Sequence, residues 1–249
     1  MTGKRTIGDR LAMIAKLETF SAVALLLVAG PGHRYGFIPT KIAVLLSLAA
    51  LVLGAIALLC AIVALLLPSQ NRRTGMLAGC LIVSGALSAT LVSWAIKGAS
   101  VPQIHDITPD LTNPPQFQLL AGARAGAANP DAYPGAEFAD QQRDAYPDIT
   151  PLEVNNTDIA EILDLAEATA VAQGWNSVMR QADSNQIEAT DVTFWFGYKD
   201  DIIIRVTESE SGSRIDVRSK SRVGQSDLGT NAARIAKYLD DLGTVLGAG

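Results

Sequence analysis

From Ile42 to Leu67 the chain runs for 26 residues without a charged side chain, and no other feature limits the fold as tightly. As a helix rising about 1.5 Å per residue, this run reaches roughly 39 Å, enough to cross a bilayer core of about 30 Å with room for tilt. A second charge-free run covers the 23 residues from Thr74 to Ile96; Lys97 and Gly98 close it, and Trp94 stands where an interfacial aromatic is expected. The stretch from Leu11 to Gly30 attains spanning length only by including Lys16 and Glu18, charges that must lie near the headgroups or snorkel toward them. Three membrane helices are therefore predicted, at about 11–30, 42–67 and 74–96. The rival reading of the first is a cleaved signal peptide, since Lys4, Arg5 and Arg10 precede an apolar stretch ending in Val28, Ala29 and Gly30. There is no clear small-x-small cleavage triplet, and two further spans follow. Leu77-Ala78-Gly79-Cys80 matches a lipid-attachment box in letters, but Arg72 and Arg73 lie just upstream where such a box needs an apolar stretch.

Charge divides the chain in the same place. Residues 1–100 carry nine Lys/Arg against two Asp/Glu, net +7, and residues 101–249 carry eleven against twenty-three, net −12. The acidic second half argues against a nucleic-acid partner, whose phosphates it would repel. Basic residues at the span ends divide six (Lys4, Arg5, Arg10, Lys16, Arg72, Arg73) against three (Arg34, Lys41, Lys97), which puts the amino terminus inside. An odd number of spans then delivers the acidic half to the opposite side. The expected address is a bacterial inner membrane with a cytoplasmic amino terminus and a periplasmic carboxyl-terminal domain. Small residues in the third span (Gly75, Gly79, Ser84, Gly85, Ser88, Ala89) include pairs four apart, a pattern that permits close helix approach in lipid, within the chain by default or against another membrane protein. Cys60 and Cys80 both fall in spans and read as apolar filler; with no cysteine after residue 80, the exported half has no intrachain disulfide and no thiolate chemistry.

Residues 99–150 read as a Pro/Gly-rich connector, since Pro102, Pro109, Pro114, Pro115, Pro130, Pro134 and Pro147 block any long helix or central strand. Phe117, Tyr133, Phe138 and Tyr146 argue that it docks on the domain, because a free linker has no use for spaced aromatics. Residues 151–249 form the predicted domain. Ile159, Ile162, Leu163, Ala166, Ala170 and Val171 recur at helical spacing, with Asn156 or Thr157 as cap and Gly174 as terminator. Four strand-like runs follow, Trp175 to Arg180, Gln186 to Phe196, Asp201 to Glu208 and Arg214 to Ser221, separated by Asp183-Ser184-Asn185, Gly197 to Asp200 and Ser209 to Ser213. A last helix is predicted from about Asp227 to Leu246, capped by Ser226 or Asp227. The expected class is α+β: three transmembrane helices, then a four-stranded antiparallel sheet with two helices on one face.

The region from about Val101 to Leu242 resembles the bacterial and plastid proteins of the domain of unknown function 1499 family. The residues that carry the resemblance are Ile104-His105-Asp106-Ile107-Thr108, Asn113-Pro114-Pro115 with Phe117, Asn129-Pro130 with Tyr133-Pro134-Gly135, and Gln142-Arg143 with Tyr146-Pro147-Asp148-Ile149. They continue with Trp195-Phe196-Gly197-Tyr198-Lys199-Asp200-Asp201, then Asp216-Val217-Arg218-Ser219, Ser221-Arg222-Val223-Gly224, Ser226-Asp227-Leu228-Gly229, Asn231 and Arg234-Ile235. The three preceding spans resemble the family's membrane-anchored branch. The resemblance implies a fold and an address, and no established activity.

The candidate sites follow from charge patterning. Arg214, Asp216, Arg218, Lys220 and Arg222 alternate along one strand, so they share a face, and Arg205 of the preceding strand can join them. Arg218, Lys220, Arg222, Asn231 and Arg205 are thus a candidate anion- or partner-binding set, near a helix opening after Ser226 whose free amides would favour an anion. The competing reading pairs these arginines with Asp191, Glu208 and Asp216 across the sheet, and Asp227 would repel an anion unless it caps the helix. His105, Asp106, Ser226, Asp227 and Gly229 form a second candidate set, structural or functional. His105 and Asp106 are neighbours in an extended segment and point opposite ways, so they make no ready acid/base pair; a triad needs a distant serine, and a metal site lacks recognisable ligand spacing. The bland reading is a turn in which His105 bonds to docked linker. Gly224 and Gly229 lack the strand, spacing and lysine of a phosphate loop. No metal, nucleotide or other cofactor is expected. Phe194, Trp195, Phe196 and Tyr198 alternate across the second strand, one pair toward the core and one toward the docked linker, a lipid or a protein. The expected role is a non-catalytic binding or structural subunit of an envelope or membrane complex. The alternatives are a periplasmic carrier or sensor of a small or lipid anion and, less favoured, a hydrolase using His105.

Overall fold

The computed structural model describes residues 5–69, 74–155, 158–181, 184–210 and 212–247. Lys4, Arg72 and Arg73 of the orientation argument, the Asn156/Thr157 cap, Asp183 and Ser211 lie outside them. The chain divides into two compact units, Met1–Ala99 with Phe194–Gly197, and Ser100–Thr193 with Tyr198–Gly249.

The first unit contains three helices long and apolar enough to cross a membrane, α1 (Ile7–Arg34), α2 (Thr40–Leu66) and α3 (Thr74–Ser100). Thr6 and Asp9 start α1 with a capping box, each side chain bonding the other's backbone amide. Along α2 the buried residues Ala43, Ser47, Ala50, Gly54, Ala57, Ala61 and Ala64 alternate in steps of four and three. On α1, Gly8, Ala15, Thr19, Ala22 and Ala29 keep the same rhythm. The two helices pack along this seam, where small side chains let the backbones approach and the gain comes from van der Waals contact rather than from water release. Thr19 and Ser47 hydroxyls bond carbonyls one turn back, at 2.7 and 2.8 Å, which satisfies both inside the seam. Leu45, Leu59, Leu66 and Ile82 face outward. The small residues of α3 contribute less packing than the sequence predicts: a Cβ at Gly75, Gly79 or Gly85 would meet nothing within 4 Å. The close approach is instead at Gly54, where a Cβ would come within 2.8 Å of Leu87. Cys80 is buried among Ala15, Ala61, Ala64 and Leu77, with Cys60 partly buried beside it.

The second unit is α+β. Its elements are β1 (Asp106–Ile107), α4 (Ala136–Ala145), β2 (Leu152–Asn155), α5 (Ile159–Ala172), β3 (Asn176–Arg180), β4 (Gln186–Val192), β5 (Lys199–Ser209), β6 (Gly212–Ser221) and α6 (Thr230–Leu246). The sheet is antiparallel, in the order β1-β6-β5-β4-β3, with β2 also on the outer edge of β6. It therefore has six strands, not four. The two additional strands come from short extended pieces beside Pro102, Pro109 and Pro151 that lack alternation of their own and are defined by the edge they pair with. The connector likewise carries α4 and a short 3-10 turn, Gly122–Arg124. β4 ends at Val192, short of the expected Phe196, so Phe194–Gly197 lie in the turn to β5. That turn closes by Thr193 N donating to Tyr198 O at 2.9 Å and bends through Gly197 at φ +68°.

Helices α5 and α6 cover one sheet face. Ile187, Ala189, Ile202, Ile204, Val206, Ile215 and Val217 meet Ile162, Leu163, Ala166, Ile235, Tyr238 and Leu242 in a continuous core. Trp175 stacks on Tyr238 with ring centroids 4.8 Å apart, and Tyr238 Oη donates to Ala166 O at 2.8 Å. Asp158 caps α5 by accepting from Ala160 N at 3.1 Å. Ile202, Ile203 and Ile204 are all fully buried, although successive strand residues face opposite ways. The far face of β5 is therefore covered as well, and Ile203 packs there on Phe117 and Leu120 of the segment leading to α4.

Ile204→Ala removes a side chain that α5 and α6 cannot collapse to replace, and is expected to destabilise the second unit by about 2–5 kcal/mol. The check is the shift in urea midpoint of the detergent-solubilised full chain, read by the emission of buried Trp175.

Candidate functional site

Alternation along β6 sends Ile215 and Val217 into the helix-covered core and Asp216, Arg218, Lys220 and Arg222 to the opposite face. Facing strands contribute Asp201 and Arg205 from β5 and Glu188 and Thr190 from β4. The segment from Asp106 to Ala132 lies across this face as a strap, and its groups meet those charges one by one.

Asp106 is fully buried and accepts two parallel bonds from Arg218, from Nε to Oδ1 and from Nη2 to Oδ2, each 2.9 Å, plus one from Lys220 Nζ at 2.8 Å. The remaining donors reach strap carbonyls: Arg218 Nη1 to Pro115 O at 2.6 Å, Arg218 Nη2 to Asp131 O at 2.8 Å and Lys220 Nζ to Ala132 O at 2.7 Å. The ring of Phe117 lies between two guanidiniums, 5.1 Å from Arg218 and 5.0 Å from Arg124, and Tyr133 lies 5.6 Å from Arg218. Asp201 takes Arg222 bidentately at 2.8 Å, Arg124 at 2.6 Å and the Thr190 hydroxyl at 2.8 Å. Arg205 bridges Asp110 at 2.9 Å and Asp216 at 3.0 Å, and Arg214 also pairs with Asp216. Buried Glu188 accepts three consecutive backbone amides, Gln118 at 2.6 Å, Leu119 at 3.0 Å and Leu120 at 2.7 Å. Those amides form a small anion nest filled by the chain's own carboxylate. Of the described residues, the buried atoms Arg124 Nε, Arg205 Nε, Thr108 Oγ1 and Tyr133 Oη are among those left without a hydrogen-bond partner.

A second polar cluster joins β6 to α6. Asn231 Oδ1 accepts from Ser219 Oγ at 2.7 Å and, closely, from Arg234 Nη1; Asn231 Nδ2 donates to His105 O and Ser221 Oγ, each at 3.1 Å. Arg234 also pairs with Asp191 and Asp200, both at 2.7 Å. Helix α6 begins at Thr230 rather than at Asp227, because Gly229 turns the chain at φ +75°. Asp227 nevertheless holds the helix start, accepting from Gly229 N at 2.8 Å and Asn231 N at 2.9 Å, so the amides that favoured an anion already have one. Ser226 Oγ donates to Pro102 O at 3.3 Å and accepts from Leu228 N at 3.2 Å. His105 Nδ1 stands 3.4 Å from Gln225 O, with the ring edge-on to Phe138 at 5.2 Å. Its hydrogen-bond partner is the loop before α6, not the connector.

Burial sets the titration of this region. It pulls His105 below the ordinary imidazole value against the opposing Gln225 carbonyl, and pulls Lys220 below the ordinary lysine value even though Asp106 favours the ammonium. It raises the Asp227 carboxyl despite the two amides that favour its anion, and pushes the Tyr133 phenol up to about 12. For Asp110, burial acts upward, but the amides of Asn113 and Thr112 and the Arg205 guanidinium outweigh it and hold the carboxyl low.

The geometry brings Arg218, Lys220, Asp106 and, through Asp201, Arg222 into one layer; Arg205 belongs to a neighbouring pair, and Asn231 lies across the sheet with α6. His105 and Asp106 point apart, as their extended backbone requires. The cross-sheet pairing foreseen for these arginines is only partly realised. Asp216 takes Arg205 and Arg214, but Asp191 belongs to Arg234, Glu208 is exposed, and Asp106 and Asp201 hold the central cations. Arg124, Asp201 and Glu188 were not singled out as site residues. Glu188, lone between Ile187 and Ala189, was the available signal, since an acid inside an apolar strand needs a buried partner. Chemically the arrangement neutralises charge and fixes the strap. Among the described residues, no group of three or more His, Cys, Asp or Glu could hold a metal ion.

Residues 106–242 match the model of a family described as protein of unknown function (DUF1499). No curated protein matches the chain.

Asp106→Ala leaves Arg218 and Lys220 charged and buried, and is expected to destabilise the second unit by about 3–5 kcal/mol, the usual result of removing one partner from a buried pair; urea denaturation of the full chain in detergent measures it. His105 has a folded pKa below its unfolded value, so the unfolded chain binds the proton more tightly and stability falls as pH drops below about 6.5. Thermal melts at pH 7.5 and 5.5 are expected to differ less in His105→Gln than in the parent.

Proposed function

Because this chain belongs to the DUF1499 family of proteins of unknown function and carries three candidate membrane-spanning helices, we propose that it is a membrane-anchored, non-catalytic binding or structural subunit of an envelope or membrane complex. The observation that carries this reading is the internal commitment of the charged groups that looked most chemical. Arg218, Lys220 and Arg222 end on Asp106 and Asp201, Glu188 fills its own amide nest, and Asp227 caps α6. The strap turns the charged sheet face into interior, which favours a rigid body that presents its outer surface over one that opens to hold a ligand. The basic excess at the inner span ends supports a cytoplasmic amino terminus, and three crossings then carry the second unit to the periplasmic side.

Purification of the full chain from its native membrane in mild detergent after crosslinking is expected to recover a reproducible neighbouring membrane or envelope protein; recovery of monomer alone counts against the proposal. For the address, an alkaline phosphatase fusion at the carboxyl terminus is expected to be active and a fluorescent-protein fusion dark. The reverse pattern would abolish the periplasmic assignment.

A further inference from the structure

We infer that Lys16 and Glu18 of α1 are the two halves of an intramembrane contact between copies of this chain, the lysine of one copy pairing with the glutamate of the next. The inference rests on the membrane reading of α1 and α2 and requires no protein of another kind.

Packing register sets the depth of these charges. Helices α1 and α2 run antiparallel with a constant offset: a Cβ at Gly8 would meet Pro68 O at 2.6 Å, and Ala15 is buried with Ala61 and Ala64. The buried residues Thr19 and Ala57, Ala22 and Gly54, and Ala29 and Ser47 keep that offset. It sets Glu18 level with Leu58 and Lys16 level with Cys60. A hydrocarbon core of about 30 Å takes up about 20 residues of α2. Centred on the charge-free run from Ile42 to Leu67, the core leaves the Glu18 backbone about 10 Å inside its nearer edge; pushed fully to the Lys41 end, still about 6 Å inside. At either setting the carboxylate lies in hydrocarbon, where a charge without a partner is costly.

Helix geometry denies these two charges each other within one chain. Lys16 and Glu18 are two residues apart, about 200° around the helix, and cannot face one another. Lys16 directly follows the seam residue Ala15 and Glu18 directly precedes the seam residue Thr19, so the charges lie on the two flanks of the face that meets α2. Lys16 is exposed and Glu18 half-buried. Among the described residues neither side chain makes a hydrogen bond or an ion pair.

A second copy supplies the missing partner. Copies inserted the same way hold Lys16 and Glu18 at depths about 3 Å apart, a difference that a flexible lysine stem spans. Opposite charges attract far more strongly there than in water. A two-fold dimer uses one patch twice, whereas complementary charges on opposite flanks link copies head to tail and close into a ring of more than two.

The test coexpresses two differently tagged full chains, copurifies them in mild detergent and reads the stoichiometry by native mass spectrometry. The parent is expected to copurify as an assembly of more than two copies. Lys16→Glu in both tags, or Glu18→Lys in both tags, should lower copurification by about tenfold or more, because like charges then meet. Lys16→Glu coexpressed with Glu18→Lys should restore it, since every contact between unlike chains is again complementary, and so should the exchanged chain Lys16→Glu/Glu18→Lys with itself. Unchanged copurification in either single variant, or no recovery in both exchanges, overturns the pairing. Where a reversed charge keeps the chain out of the membrane, Glu18→Leu is read instead, and an assembly it leaves intact overturns the pairing. A parent retained in the membrane after carbonate extraction but monomeric overturns the pairing alone; a parent released by carbonate overturns the membrane reading. A parent that brings down a different membrane protein and no second copy overturns the pairing while the proposed subunit role stands.

Discussion

Asp106 stands first in the folded domain and takes a guanidinium and an ammonium from the same strand, all three side chains out of reach of water. Removing such charges from solvent is costly, and the Coulomb return offsets the cost only when geometry is good and the leftover donors are satisfied. Both conditions hold, since the fork of Arg218 matches the carboxylate bidentately and the spare donors of Arg218 and Lys220 find Pro115, Asp131 and Ala132 carbonyls. These bonds join β1, the strap and β6. Without them Arg218 and Lys220 would keep their charges on the sheet face with no carboxylate to meet them, along a strand whose other side is core.

The sheet is thus buried twice, by different physics. Toward α5 and α6 it presents Ile, Val and Ala, and burial there is driven by release of water from apolar surface. Toward the strap it presents ions, Thr190 and Ile203, and order there comes chiefly from directional bonds, with Phe117 near both Arg124 and Arg218. An apolar face tolerates repacking, whereas an ionic face fixes its partner, because each carboxylate accepts only from donors at set positions. This explains how an irregular segment rich in proline and glycine holds one course over the sheet.

The three candidate membrane-spanning helices follow a third rule. Lipid offers no hydrophobic drive for helices to associate, so α1 and α2 meet through a seam of alanine, glycine, serine and threonine spaced four and three apart. The sequence pattern drew attention to the glycines of α3, yet α2 holds the tighter approach at Gly54. Spacing of small residues identifies faces that can come close; which of them do so depends on how the helices are arranged in three dimensions.

Much of the architecture was legible along the chain. Charge-free length marked three helices long and apolar enough to cross a membrane, because a bilayer imposes a minimum span that composition alone reveals. Periodicity located α5, α6 and the four longer strands, since a face that meets a core must repeat with the local geometry. β1 and β2 were not legible, being only two and four residues long and existing because β6 offers them an edge. The charges of β6 were visible, as was their shared face, but their partners were not. Asp106 lies 112 residues from Arg218, and no local pattern records which distant carboxylate will meet which guanidinium. The sequence by itself determined where the three long apolar helices lie and where the other main helices and strands run, since those depend on neighbours in order. Only the tertiary structure decided that the basic row is interior and the proline-rich segment its cover, because pairing across such separations depends on which surfaces the folded chain brings together.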